Sequence, residues 1–231
     1  MNTYEVKTKK ILRECNAFID GGHFVYSGGD HGDHYINKDA LYMRTRHTDD
    51  VAAMLAELIQ KTYGINFDFV VAPTHGGILL GQLVAGLLNM YTKKEIYFAY
   101  SDKDYAGGYR VLRRGFGKPM KGRLVLLVDD IVTTGGTLVG MAQAVARAGG
   151  QVIGAAVLCD RGKVRNLRFF SPTKGGGVEG TPTLLKIAPL IELDLQTFKS
   201  ADCPFCKMGR PIDVDLGKGG EFDAFTGKKL V

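Results

Sequence analysis

The residues with the clearest chemical potential are two adjacent carboxylates followed by a hydroxyl- and glycine-rich segment. Asp129 and Asp130 come directly after the apolar run 124–128, and residues 133–137 read Thr-Thr-Gly-Gly-Thr. Glycines let backbone N–H groups approach a bound anion and threonine hydroxyls add donors, so such a turn before a helix suits a phosphate. Adjacent carboxylates repel each other and need a partner, such as sugar hydroxyls or a hard cation. The segment therefore predicts a site for a phosphorylated sugar.

The elements that must position these residues follow from the apolar pattern. Short unbroken apolar runs alternate along the chain with segments whose apolar residues recur at helical spacing. Strands that are apolar on both faces are typical of a parallel sheet covered by helices, so we predict an α/β fold with a parallel sheet flanked by helices. The predicted strands are 67–72, 95–100, 124–128, 152–158 and 184–190. The predicted helices are 51–59, 78–88 and 138–145. Asp49 and Asp50 precede the first and can cap it or favour its N-terminus, and the second is predicted to be fully buried.

Polar turns follow four of the predicted strands. In open α/β sheets ligands bind beyond the carboxyl ends of the strands, so these turns are expected to gather at one edge of the sheet. They are residues 73–77, 101–108, 129–130 and 159–162.

The two ends of the chain do not follow this alternation. Residues 24–27 and 34–37 predict short strands around the glycine-rich turn 28–32, forming a small N-terminal hood or flap over the site. From about residue 200 onward the abundance of Gly, Lys and Asp predicts an irregular tail. The predicted division is an N-terminal helix and hood or flap over 1–45, the α/β core over 46–199 and the tail over 200–231.

Composition narrows the class of protein. Of the 231 residues, 45% are hydrophobic, which is ordinary for a globular chain, and the net charge is +6. Because Lys and Arg form no dense run, nucleic-acid binding is a minor alternative to a small polyanionic substrate. The longest apolar run, 78–90, is too short and glycine-rich to cross a membrane, and no signal peptide is evident. Four cysteines do not make a disulfide framework, which favours a cytoplasmic location.

Two of the cysteines form a C-x-x-C pair, Cys203 and Cys206. A closed zinc site needs four ligands, and only these two are near each other in the sequence. The alternatives are a turn that carries two thiols, and a zinc site to which a partner subunit supplies a second pair across a two-fold axis.

Residues 129–137, with their apolar lead-in, resemble the phosphoribosyl-diphosphate (PRPP) signature of type I phosphoribosyltransferases. The resemblance implies that fold, and a reaction in which a nitrogenous base attacks C1 of the PRPP ribose while pyrophosphate leaves with Mg²⁺. In the orotate branch the product is orotidine 5′-monophosphate, which belongs to pyrimidine nucleotide biosynthesis. Further segments that are similar to the orotate branch are residues 27–28, 34–38, 41–42, 113–116 and 160–161.

The resemblance also implies roles for individual residues around PRPP. Asp129 and Asp130 would hold the ribose hydroxyls or Mg²⁺, and would stabilise positive charge at C1. Lys103, on a mobile loop, would contact the leaving pyrophosphate. The residues implied to bind the 5′-phosphate are Thr133, Thr134, Gly135, Gly136 and Thr137. Those implied to bind pyrophosphate are Thr74, His75, Gly76, Gly77, Arg113 and Arg114.

The base is the part of the substrate for which alternatives stay open. Arg161 would pair with the carboxylate of orotate, since a planar guanidinium suits a bidentate contact, and Tyr26 and Lys38 line the predicted flap. The alternatives are a phosphoribosyltransferase for a purine or another base, and a PRPP-binding regulator without turnover. A homodimer is expected, because the mobile loop of the family often reaches the neighbouring site.

Overall fold

A computed structural model describes residues 3–26, 28–92, 94–104, 107–171 and 182–221. The chain forms two compact units. The core unit comprises Met1–Glu5 and Thr48–Leu193, and the terminal unit comprises Val6–His47 and Asp194–Val231. The predicted division at residues 45 and 199 stays a prediction.

The helices and strands have the following bounds. The strands are β1 (Phe18–Val25), β2 (His31–Ile36), β3 (Phe69–Pro73), β4 (Tyr97–Lys103), β5 (Arg110–Val111), β6 (Leu124–Val132), β7 (Gln151–Asp160), β8 (Asn166–Phe169) and β9 (Thr183–Glu192). The α-helices are α1 (Thr3–Glu14), α2 (Lys38–Tyr42), α3 (Thr45–Tyr63), α4 (Gly77–Tyr91), α5 (Gly136–Arg147) and α6 (Pro204–Lys207). None of these helices is both long enough and apolar enough to cross a membrane.

The core unit is built on a seven-stranded sheet with the order β5-β4-β3-β6-β7-β9-β8. The five central strands run parallel, which confirms the predicted α/β fold class. The edge strands β5 and β8 pair antiparallel with β4 and β9, so the sheet as a whole is mixed. These edge strands were not predicted, because segments of two and four residues are too short to carry an apolar period.

Helices α4 and α5 cover opposite faces of the sheet. A β-carbon on Gly81 of α4 would lie 2.8 Å from the β-carbon of Ala72, so α4 packs closely on the face that Ala72 presents. The neighbouring Val71 points to the other face, as alternation in a strand requires, and belongs to the core under α5. The fully buried members of that core include Val71, Leu127, Leu138, Met141, Val145 and Val157.

Two helix predictions are wrong in detail. Helix α3 begins at Thr45, so Asp49 and Asp50 lie inside it and do not cap it. The prediction used the first apolar residue of the period, whereas the helix begins six residues earlier, in a polar segment. Helix α4 is not fully buried, because Leu79, Met90 and Tyr91 have exposed fractions of 43%, 77% and 51%. Its apolar surface therefore extends beyond the face that packs on the sheet.

The terminal unit combines the β1–β2 hairpin with the C-terminal segment. The two predicted strands are present and pair antiparallel, but β1 begins at Phe18 and β2 at His31, earlier than predicted. Phe198 forms a β-bridge with His31. The backbone N–H groups of Asp213 and Lys218 donate to the carbonyl oxygens of His23 and Val25, both at 2.8 Å. The described part of the tail is therefore hydrogen-bonded along the hairpin.

Candidate functional site

The two adjacent carboxylates lie within β6 and are buried, with exposed fractions of 4% for Asp129 and 7% for Asp130. The strand was predicted to end before them, but pairing with β7 continues to Val132. The backbone N–H of Asp130 donates to Asp129 Oδ1 at 2.8 Å, and that of Ile131 donates to Asp130 Oδ1 at 2.6 Å. Each carboxylate is therefore held in place by the backbone N–H of the residue that follows it.

The electrostatics of this pair favour a bound cation or hydroxyl donors. Burial raises the pKa of Asp129 well above its ordinary value, and the charge of Asp130 raises it further. The guanidinium of Arg110 opposes this pKa shift. Arg110 is itself held by hydrogen bonds from its Nη1 to the carbonyl oxygen and the Oγ of Ser101, at 2.9 and 3.2 Å. Oxygen ligands with excess negative charge fit a hard cation such as Mg²⁺.

Arg110 is a residue of this site that the sequence did not predict. It lies on the two-residue edge strand β5, beyond a glycine pair, where no period indicates which way its side chain points. The sequence offered one indication of its role, which is that Arg110 is positively charged and closely follows the loop that carries Lys103.

The turn from β6 into α5 has the form of an anion site. Gly135 adopts a left-handed φ of 80° at the N-cap of α5, and a β-carbon there would lie 2.3 Å from Leu167 Cδ1. Only glycine satisfies both conditions. The other residues of the turn, Thr133, Thr134, Gly136 and Thr137, are exposed. Hydroxyls and first-turn N–H groups at a helix N-terminus are thus accessible to a phosphate.

The turn after β7 is in backbone contact with this anion site. The N–H of Arg161 donates to the carbonyl oxygen of Val132 at 2.8 Å. Asp160 Oδ1 accepts from the N–H of Gly162 at 2.9 Å, and burial raises the pKa of this carboxyl. Asp160 thereby fixes the turn that carries Arg161 beside Thr133.

The turn after β3 leads into the N-terminus of α4. The N–H of Thr74 donates to the carbonyl oxygen of Ser101 at 2.9 Å, which ties this turn to β4. His75 has a φ of 75°, a conformation that costs a residue with a β-carbon roughly 1–2 kcal/mol. A β-carbon on Gly77 would lie 2.5 Å from Pro73 Cδ, so glycine is required there. The predicted pyrophosphate loop is therefore a tight, strained turn before a helix.

The loop predicted over residues 101–108 is partly strand. Lys103 is the last residue of β4 and pairs with Arg110 of β5, so the strand continues past the predicted start of the loop. Tyr105 and Ala106 lie outside the described residues. Arg113 and Arg114 are exposed, and Arg113 Nη2 lies 3.5 Å from Asp104 Oδ1. The mobility of this loop stays a prediction.

The structure brings most of the predicted site residues of the core unit to the same sheet edge. The turn 74–77 follows β3, Lys103 ends β4, Asp129 and Asp130 lie near the end of β6, and Arg161 follows β7. Because these strands are parallel, their carboxyl ends share an edge, as predicted.

Tyr26 and Lys38 belong to the terminal unit. The Tyr26 hydroxyl donates to the carbonyl oxygen of His34 at 2.5 Å, and its ring packs where a β-carbon on Gly32 would lie. Tyr26 is 7% exposed, so it contributes to packing of the hairpin. Lys38, at the start of α2, lies 4.0 Å from Asp39 Oδ1. A base-binding role for either residue stays a prediction.

Comparison with known proteins identifies the family. A sequence model described as the phosphoribosyl transferase domain matches residues 38–175, more than half of the chain. The chain belongs to the phosphoribosyltransferase family. Its members are pentosyltransferases, a class of glycosyltransferases, and the predicted resemblance is confirmed.

Relatives within the phosphoribosyltransferase family are similar over nearly the whole chain. The orotate phosphoribosyltransferase of Wolinella succinogenes is 32% identical over 210 residues, covering 88% of this chain and 94% of the relative. The orotate phosphoribosyltransferase of Thermotoga maritima is 32% identical over 213 residues, covering 91% and 98%.

Solved structures of the family share the fold. The orotate phosphoribosyltransferase from Aeropyrum pernix has a TM-score of 0.59 and 22% identity, covering 80% of this chain and 92% of that chain. The adenine phosphoribosyltransferase from Thermoanaerobacter pseudethanolicus has a TM-score of 0.53 and 20% identity, covering 79% and 99%. The fold is thus common to family members named for different bases.

Proposed function

We propose that this protein joins orotate to PRPP, giving orotidine 5′-monophosphate and pyrophosphate in pyrimidine nucleotide biosynthesis. The observation that carries the proposal is the pair of buried carboxylates, Asp129 and Asp130, near the end of β6, at the sheet edge where α4 and α5 begin. Relatives named orotate phosphoribosyltransferase, similar over most of both chains, support orotate as the base.

The ribose 5-phosphate half of PRPP binds at the end of β6. The 5′-phosphate sits on the first turn of α5, where the exposed threonines of residues 133–137 donate hydroxyl hydrogen bonds. Asp129 and Asp130 accept from the ribose 2′- and 3′-hydroxyls. Their negative charge, close to C1, stabilises the oxocarbenium-like transition state more than it stabilises PRPP itself.

The pyrophosphate leaves toward positive groups on the neighbouring strands. The first turn of α4, after the strained turn at His75, offers a second helix N-terminus. Lys103, Arg113 and Arg114 add positive charge. Asp129 and Asp130 are the carboxylates that would hold Mg²⁺, and the metal would supply neutralisation of the pyrophosphate charge.

Arg161 selects the base in this proposal. The hydrogen bond from the Arg161 N–H to the Val132 carbonyl oxygen fixes this turn beside the phosphate turn. The backbone that carries the guanidinium is therefore held in place. A planar guanidinium pairs with a carboxylate in two parallel hydrogen bonds, and orotate differs from a purine in having that carboxylate. Tyr26 and Lys38 are the proposed base contacts from the flap.

An assay with orotate and PRPP tests the function directly. Purified protein with Mg²⁺ is expected to consume orotate, seen as loss of its ultraviolet absorbance, and to release one pyrophosphate per orotate. Turnover with adenine or hypoxanthine and none with orotate would assign the protein to another branch of the family. PRPP binding without turnover of any base would instead indicate a regulator.

We also propose a homodimer in the cytoplasm. The exposed Leu79, Met90 and Tyr91 on α4 give the core unit an apolar surface that a second copy would cover. Light scattering is expected to give twice the chain mass, and Met90→Asp to shift it toward the monomer. None of the four cysteines is joined in a disulfide, which fits a reducing compartment.

A further inference from the structure

The terminal unit brings two histidines and two cysteines together from distant parts of the sequence. His23 lies on β1 and His31 begins β2, while Cys203 is the N-cap of the short helix α6 and Cys206 lies within that helix. One ligand atom from each residue lies within 4.8 Å of all the others. Three of the four side chains are buried and Cys206 is half-buried.

Four of the six distances between these atoms are close to the edge lengths of a tetrahedral metal site. His23 Nε2 lies 3.0 Å from His31 Nδ1, and Cys203 Sγ lies 3.5 Å from His23 Nε2. Cys206 Sγ lies 3.6 Å from His23 Nε2 and 3.4 Å from His31 Nδ1. A tetrahedron with zinc–nitrogen and zinc–sulfur bonds of about 2.0 and about 2.3 Å has N···N and N···S edges of about 3.3 and about 3.5 Å.

The histidine His23 is oriented for metal binding by a second contact. Its Nδ1 lies 2.8 Å from the carbonyl oxygen of Arg210. A carbonyl can only accept, so Nδ1 carries the proton and Nε2 presents its lone pair to the cluster. Arg210 Nη1 in turn donates to the carbonyl oxygens of Gly21 and Gly22, at 3.3 and 3.1 Å. Metal-bound histidines are commonly held by such a contact to a backbone carbonyl.

The remaining ligands are also held by backbone. His31 pairs with Phe198 through two hydrogen bonds, N–H to carbonyl in each direction, at 2.8 and 2.9 Å. After Cys206 the chain turns sharply at Gly209, whose φ is 67° and whose N–H donates to the Cys206 carbonyl at 3.0 Å. Phe205 packs against the rings of both His23 and Phe198. The cluster therefore rests on the same contacts that join the hairpin to the tail.

We propose that His23, His31, Cys203 and Cys206 form a structural zinc site that fastens the C-terminal segment to the β1–β2 hairpin. Two imidazoles and two thiolates are borderline and soft ligands, which in tetrahedral arrangement select Zn²⁺. Four protein ligands complete the coordination shell and leave no open position, so the role is structural. In this proposal the two ligands that complete the C-x-x-C pair are His23 and His31 of the same chain. The sequence alone left a partner subunit open as their source. This proposal is independent of the proposed function.

The site also explains how a small unit can be stable. The terminal unit is formed from two short segments, and small units with little core are commonly stabilised by a metal or by disulfides. A disulfide between Cys203 and Cys206 would close only a four-residue loop. It would not connect the C-terminal segment to the hairpin that carries His23 and His31. A metal connects all four side chains and thus both segments.

The first test measures metal in the full chain, expressed with zinc in the medium and purified without chelator. Elemental analysis is expected to give about one zinc per chain. X-ray absorption is expected to show two sulfur ligands at about 2.3 Å and two nitrogen ligands at about 2.0 Å. After exchange with Co²⁺, the protein is expected to show the intense visible bands of tetrahedral cobalt and thiolate charge transfer.

The second test uses matched variants. Cys206→Ser and His31→Gln are each expected to lower the zinc content at least about tenfold. Cys15→Ala removes another buried cysteine of the terminal unit and is expected to leave the zinc content unchanged. If either ligand variant fails to fold, the wild-type chain is treated with a chelator instead. Its melting temperature is then expected to fall by at least about 5 °C and to recover when Zn²⁺ is added.

Three results would overturn the proposal. The first is wild-type protein that holds no zinc and gives no tetrahedral cobalt spectrum. The second is undiminished zinc in both ligand variants. The third is a Cys203–Cys206 disulfide in protein purified with reductant under nitrogen. None of these measurements depends on phosphoribosyl transfer, so the two proposals fail or succeed separately.

Discussion

A β-carbon on Gly162 would lie 1.7 Å from the carbonyl oxygen of Thr133. The turn after β7 thus supports the phosphate turn after β6 by direct contact between backbones. Gly162→Ala is expected to push the two turns apart and to lower the free energy of unfolding by about 1–3 kcal/mol. It is also expected to weaken PRPP binding, because Thr133 moves. Thermal unfolding and PRPP titration measure both effects.

The matched control for this change is Gly136→Ala. A β-carbon there would lie 3.8 Å from Thr134 Oγ1, an ordinary contact, and no left-handed φ is required. Its stability is expected to equal or exceed that of the wild type, since alanine favours helix. Equal stability of Gly162→Ala and wild type would show that the two turns do not support each other.

The raised pKa of Asp129 predicts a pH-dependent stability of the free protein. Burial and the charge of Asp130 make the folded state hold this proton to a higher pH than the unfolded chain, where the pKa is about 4. The stabilising contribution of Asp129 is therefore present below that unfolded pKa and is lost as the pH rises through the folded pKa. Asp129→Asn keeps an oxygen acceptor for the N–H of Asp130 but cannot ionise.

The variant Asp129→Asn is accordingly expected to melt about 2–4 °C above the wild type at pH 8 and to match it near pH 4. Its transferase activity is expected to fall. Asp50→Asn, on the exposed surface of α3, serves as the control and should leave the melting curve unchanged at both pH values. A variant that is less stable than wild type at pH 8 would contradict the electrostatic account.

Asp130 is expected to act mainly on the transition state. Asp130→Asn retains the size of the side chain and should reduce kcat roughly 10²–10³-fold, because charge at C1 develops only during the reaction. PRPP affinity, measured by calorimetry, should change less than about tenfold. Equal losses in turnover and in PRPP binding would contradict the assignment.

Lys103 is expected to assist departure of pyrophosphate. Lys103→Ala should lower kcat and weaken the binding of pyrophosphate in the reverse reaction, with a loss of about tenfold or more. Lys118→Ala removes an exposed lysine close by in the sequence and is the matched control. If both variants lose the same activity, general positive charge and not a specific contact is responsible.

Arg161 is expected to recognise the base and not the sugar. Arg161→Ala should raise the KM for orotate by about tenfold to a hundredfold and leave the KM for PRPP nearly unchanged. Arg165→Ala provides the comparison, since Arg165 lies in the same turn region but its side chain is 69% exposed and pairs with Glu192. An increase confined to the KM for PRPP would assign Arg161 to phosphate binding.

The elements of the site that carry local patterns were predictable from the sequence. An apolar run, two acids and a glycine-rich turn before an amphipathic segment predict that β6 and α5 exist and follow each other, because strand burial and helical period are decided within a few residues. Their bounds differ from the prediction, since β6 continues to Val132 and α5 begins at Gly136. Gly135 fits the same logic, since its φ of 80° permits almost nothing else.

Features that depend on contacts between distant residues could not be predicted in this way. Arg110 belongs to the carboxylate site through a two-residue strand, which has no periodicity. His23 and His31 are eight residues apart in a hairpin, and nothing in that spacing points to cysteines near the end of the chain. The full length of β1 was also not predicted. The strand contains two glycines where its register shifts between Asp20 and Phe24, and glycines within a strand resemble a turn in the sequence.

The pairing of His31 with Phe198 has a consequence for synthesis of the chain. The hairpin is translated before the strands of the core unit, and Phe198, which pairs with it, is translated after them. Every strand of the core unit has been translated by then. The pairing of the hairpin with Phe198 must therefore form after translation of the core strands, and a polypeptide released before Phe198 would carry those strands and an unpaired hairpin.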